Sequence, residues 1–122
     1  MPEVSYIRES GKSVLLLDFA GLEDYSVLSG LVEEAIRLAR IPNEWSSVLS
    51  LIDLTGTKVN STVLESLKKL SRSNGPYIKA IAFVGLSPMR YLMMKIILRI
   101  TGRRNHRVIR NRGEALLWLL QQ

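Results

Sequence analysis

The chain reads as an α/β protein in which a β-hairpin leads into a mixed, mostly parallel sheet with about four helices packed on it. Three observations carry that expectation. Val14 to Leu17, Val48 to Leu54 and Lys79 to Val84 are short strand-like runs, each bounded by turn residues. Between them the apolar period changes to the three-and-four spacing of a helical face. Strands separated by helices form βαβ units, whose right-handed crossovers build parallel sheets.

Taken in order, Val4 to Arg8 and Lys12 to Phe19 flank the turn dipeptide Ser10-Gly11 and make the hairpin. The continuous run Val14-Leu15-Leu16-Leu17 fits a central strand covered on both faces. From Asp24 to Arg40, residues Val27, Leu28, Leu31, Val32, Ala35, Leu38 and Ala39 mark a helix, with Asp24 as N-cap, Glu33 pairing with Arg37 and Pro42 closing it. Val48 to Leu54 is the next strand. A second helix runs from Ser61 or Thr62 to about Arg72, with Val63, Leu64, Leu67 and Leu70 inward and Thr62 with Glu65 as a capping box. Asn74-Gly75-Pro76 stops it. After the strand Lys79 to Val84, Ser87-Pro88 opens a helix reaching Thr101, Gly102 ends it, Arg107 to Arg110 is a last strand, and Gly113 to Leu120 a last helix.

At 122 residues, with 47% hydrophobic and 23% charged residues, the chain is expected to be one ordinary globular domain spanning 1–122. No apolar stretch is long enough for a membrane span, and the first ten residues lack the pattern of a signal peptide. With no cysteine there is no disulfide framework, thiolate metal site or cysteine nucleophile, which points to the cytoplasm. The net charge of +6 is uneven. Up to Pro76 there are 8 Lys/Arg against 10 Asp/Glu, and from Tyr77 onward 9 Lys/Arg against Glu114 alone. A basic C-terminal lobe suits an anionic partner.

Groups for catalysis are sparse. His106 is the only histidine, and no second ligand stands at metal-binding spacing, so it reads as a surface or strand-edge residue. Asp18 and Asp53 end neighbouring strands, where α/β sheets place functional groups, but hard cations want several converging oxygens. Neither Gly-x-Gly-x-x-Gly nor a Walker loop occurs. These absences predict a non-enzymatic protein with no cofactor and no metal. Gly85-Leu86-Ser87-Pro88 leads from a strand into a helix N-terminus, making Ser87 a candidate anion contact. On the following helix Leu92, Met93, Met94, Ile96, Ile97, Leu98 and Ile100 leave only a narrow polar strip with Lys95 and Arg99, followed by Arg103 and Arg104. That composition fits either core packing or an anionic, lipid-like amphiphile held by the four basic side chains. Aromatic residues do not alternate with the arginines, which disfavours nucleic acid.

The element order, with Asp53-Leu54-Thr55-Gly56 and then Asn60-Ser61-Thr62 opening a helix, resembles the STAS or SpoIIAA-like superfamily. Members related to anti-sigma-factor antagonists carry a strand ending in Asp-Leu-Ser, then Asp-Ser-Ser-Gly at a helix start, whose serine is phosphorylated by a partner kinase. Ala82-Phe83-Val84-Gly85, the basic apolar helix and Glu114-Ala115-Leu116-Leu117-Trp118-Leu119 are similar to the uncharacterised bacterial STAS/SEC14-like branch. The likeness runs from Ser5 onward and implies a SpoIIAA-like single domain and a regulatory protein partner. It places Ser61, beside Thr62, as a candidate phospho-switch, with Asn60 where those members carry an acid and Val63 where they carry glycine.

Overall fold

The computed structural model describes residues 2–87 and 105–122. Five strands, β1 Glu3–Glu9, β2 Lys12–Asp18, β3 Val48–Asp53, β4 Ile78–Val84 and β5 His106–Ile109, form one sheet in that spatial order. β1 and β2 are antiparallel, while β2, β3, β4 and β5 run parallel. The expected mixed, mostly parallel sheet is thus present. Ser10 and Gly11 both take a positive φ, as the tight hairpin turn requires.

Three α-helices are found among the described residues: α1 Leu28–Ala39, α2 Ser61–Asn74 and α3 Arg112–Leu120. The helix expected from Ser87-Pro88 to Thr101 falls almost wholly on residues 88–104, outside the described part.

The central strands are covered on both sides, which explains why β2 carries an unbroken apolar run and β3 and β4 are mostly apolar. Leu15, Leu17, Phe19 and Ile52 join Leu28 and Val32 of α1 and Val63 and Leu67 of α2 in one core layer. Val14, Leu16, Leu49 and Leu51 form the other with Ala80, Ala82, Ala115 and Leu119, where alanines let α3 lie close. Tyr6 on β1 donates its hydroxyl to the Leu38 carbonyl of α1 at 2.8 Å, and burial pushes its phenol up.

Several local expectations are corrected. Asp24 caps a short 3-10 turn, Tyr25–Val27, by accepting from the Ser26 N–H, and α1 begins only afterwards. Val27 therefore lies outside the apolar face and is exposed, and Leu31 is only partly buried, whereas Leu28 is 1% exposed. Glu33 bonds Lys69 of α2 at 2.7 Å and not Arg37, which pairs with Glu34 one residue along. A contact between helices has taken the place of a pair within one. α2 is capped by Asn60, whose Oδ1 accepts from the Val63 N–H at 3.0 Å, so no Thr62–Glu65 box forms. Asn is a stronger N-cap than Thr, and Asn60 already satisfies the first-turn Val63 N–H.

Candidate functional site

Parallel strands end together at one edge, with Asp18 level with Asp53 and Asp53 level with Val84. The connections leaving this carboxyl edge are tied to one another. Phe19 N–H donates to Asp53 O at 2.9 Å, Gly21 N–H to Thr55 O at 2.8 Å, and Leu54 N–H to Val84 O at 2.8 Å. Buried Thr57 accepts from Leu22 N–H at 2.9 Å and donates to Phe19 O. Gly85 takes φ 87°, and a Cβ there would stand 2.6 Å from Thr55 Cα and 2.8 Å from the Leu54 carbonyl carbon. Glycine is the residue that allows β4 to leave the sheet past the β3 connection.

Asp18 and Asp53 do come together, but around a cation of the chain itself. Arg112, the first residue of α3, donates from Nη2 to Asp53 Oδ2 at 2.7 Å and reaches Asp18 Oδ1 at 3.2 Å. The other oxygen of Asp53 accepts from Thr55 N–H at 2.9 Å and Thr55 Oγ1 at 2.6 Å. Burial pushes the Asp53 carboxyl up, yet the Thr55 and Arg112 hydrogen bonds outweigh it and hold the group below the usual carboxylate range. Asp18 Oδ1 also accepts from Ala20 N–H at 3.2 Å. The acids thus anchor α3 under the sheet, and no cluster of three metal-ligating side chains occurs among the described residues.

On the other face, the starts of α1 and α2 stand side by side and leave an open groove of about 670 Å³. Ser26, Ser29, Ser61, Thr62 and Ser66 line it with hydroxyls, Leu28 and Val32 form its apolar floor, and Glu65 and Lys69 stand along it. Tyr25 borders it, its hydroxyl donating to Lys58 O at 2.7 Å. Ser61 and Thr62 are both exposed. Because Asn60 is the cap, Ser61 is the first residue inside α2 and carries no capping duty.

With this geometry in place, comparison with solved structures finds an uncharacterised DUF3478-family protein from Shewanella loihica PV-4 described as having a SpoIIAA-like fold. It superposes with a TM-score of 0.68 over 95% of this chain and 91% of its own, at 20% identity. The chain has a SpoIIAA-like fold. No protein-family model and no curated protein matches it.

On the SpoIIAA-like frame, Ser61 and Thr62 occupy the start of the helix after β3, as their sequence context implied. Of the candidate anion contacts, Ser87 is exposed just beyond β4, while Lys95, Arg99, Arg103 and Arg104 lie outside the described residues. The described arginines of the C-terminal third are each engaged. Arg107 lies over the Trp118 ring at 5.5 Å, Arg110 bonds Glu114 at 2.8 Å, and Arg112 holds the two aspartates. His106 is partly buried on β5, the last strand of the sheet.

Arg112 is the residue that sequence reasoning missed. It is one arginine in a basic run, and 59 residues separate it from Asp53. Only the parallel order of the strands brings the two together. Asn60 did carry a signal, being a cap-forming residue just before the expected helix start.

Proposed function

We propose that the chain is a non-enzymatic interaction module whose partner contact centres on Ser61 and the hydroxyl-lined groove, with phosphorylation of Ser61 as its switch. The observation that carries this reading is the division of labour at the start of α2: Asn60 does the capping, and Ser61 stands exposed beside it. A phosphate there would meet first-turn N–H groups and the positive end of the helix dipole. It would add up to two negative charges at the rim of a groove that is otherwise close to neutral, enough to change which partner fits. The acid pair supports a non-catalytic reading, since both oxygens of buried Asp53 and Oδ1 of half-buried Asp18 are committed to Thr55, Arg112 and Ala20.

The test is comparative capture at physiological salt with the native chain, Ser61→Asp and Ser61→Ala, followed by titration of the purified partner. The reading expects one partner whose affinity differs at least tenfold between Ser61→Asp and the native chain while Ser61→Ala stays close to native. It also expects phosphate on the Ser61-containing peptide of chain isolated from its own cells. Equal affinity for all three chains overturns it.

A further inference from the structure

The opposite, amino edge of the sheet carries a different surface. In the connection from α1 to β3, Trp45 is 67% exposed and Ile41 60% exposed. Neither belongs to a core cluster. Trp45 is nevertheless held in place: its indole stacks on Tyr77 with ring centroids 5.0 Å apart, and the Arg40 guanidinium lies 4.8 Å from the centroid of the Tyr77 ring. Arg40 in turn donates to Ile36 O at 2.7 Å and Ser73 O at 2.9 Å. Ser46 N–H donates to Pro76 O at 2.9 Å and Ser47 N–H to Tyr77 O at 3.0 Å. Asn43 and Ser46, on either side of the tryptophan, both take φ 52°. Non-glycine residues keep that conformation where surrounding contacts impose it, and such positions gather at binding sites.

Charge is divided along the strand direction. Among the described residues near the amino edge, where β1 ends, β2, β3 and β4 begin and α1 and α2 end, stand Arg8, Lys12, Arg37, Arg40, Arg72 and Lys79 against Glu9, Glu44 and Glu34, the last paired with Arg37. Among the described residues the carboxyl edge has the reverse balance, with Glu3, Asp18, Glu23, Asp24, Asp53 and Glu114 against Lys58, Arg110 and Arg112. Two projecting apolar side chains on a fixed loop, set within a basic end, match an anionic lipid surface. Tryptophan favours the headgroup level because its ring is apolar and its N–H is satisfied by water or lipid. Basic groups within a Debye length of an anionic leaflet add their attractions.

We propose that the amino edge docks on an anionic membrane surface, with Trp45 and Ile41 entering the headgroup boundary and the surrounding basic side chains meeting lipid phosphates. The charge division sets the orientation, since the acidic carboxyl edge is repelled and turns toward water, leaving the Ser61 groove accessible. The proposal is independent of the Ser61 reading.

It is tested with the full chain by flotation with phosphatidylcholine vesicles, with and without phosphatidylglycerol, at low and high salt. The expected result is salt-sensitive binding at least tenfold stronger on the anionic vesicles. Trp45→Ala and Ile41→Ser should each weaken it about tenfold, the effect of withdrawing one large apolar side chain from burial. Circular dichroism checks that both variants stay folded. In a Trp118→Phe chain, where Trp45 is the sole tryptophan, the emission should move to the blue on anionic vesicles. No binding to the anionic vesicles, binding undiminished in both variants, or self-association through Trp45 in place of vesicle binding each overturns the proposal.

Discussion

The two edges of the sheet are built on different terms. At the carboxyl edge the chain turns its polar groups upon itself: three strand connections share backbone hydrogen bonds, Thr57 bridges two of them, and Arg112 ties two strand ends to α3. At the amino edge one connection is held by ring stacking and a guanidinium, and large apolar side chains are left outside. The contrast teaches that a rigid edge can present a surface in two ways. One surrounds an uncommitted side chain, Ser61, with residues that already have work. The other fixes a loop so that its exposed ring needs no ordering when it meets a partner.

The largest expected effect is at Gly85, where the carboxyl edge is tightest. Gly85→Ala adds a Cβ against the Thr55 backbone at a positive φ and should cost about 3 kcal/mol or more in denaturant unfolding. A near-native midpoint would mean the connections are looser than described. Within α1 the cavity variant Leu28→Ala should cost about 2–5 kcal/mol and Leu31→Ala clearly less, because only Leu28 is fully enclosed. Equal losses would show the helix rotated from its described face.

Arg112→Met should cost about 1.5–3 kcal/mol at neutral pH by removing charged hydrogen bonds from a buried carboxylate. The sign of its pH dependence follows from Asp53, whose folded value is depressed. Stability from such a group is present above the unfolded value of about 3.9 and is lost as pH falls through the folded value. The gap between native chain and variant should therefore close on acidification below about pH 4. A gap that widens in acid would contradict the latch. At the amino edge Ser46→Gly should change stability by less than about 1 kcal/mol, since relief of the left-handed backbone offsets the added freedom of glycine. A large loss there would mean that the serine side chain, not the backbone, holds the loop.

Much of the frame was legible in the chain because burial on both faces writes an unbroken apolar run at Val14 to Leu17 and a mostly apolar one at Val48 to Leu54, and helices write their period between them. Pairings across the fold were not legible. Glu33 had a partner in reach along its own helix, and nothing in the sequence says that Lys69 would stand closer. The charge count along the chain is equally silent about position in space. Counted along the chain, basic residues gather in the last third. In space, Arg110 and Arg112 are paired with acids, while Arg8, Lys12, Arg40, Arg72 and Lys79, spread widely along the sequence, stand near the amino edge, where β2 and β4 begin and α1 and α2 end. Nothing in the sequence marks Trp45 as a projecting side chain, since exposure is a property of the fold.

The central claim is that Ser61 is spared structural duty at the start of α2, and paired denaturation curves test it most directly. Asn60→Ala removes the cap and should lower stability by about 1 kcal/mol, whereas Ser61→Ala should lower it by less than about 0.5 kcal/mol. A loss at Ser61 equal to or greater than that at Asn60 would contradict the account, because the serine would then be part of the helix cap.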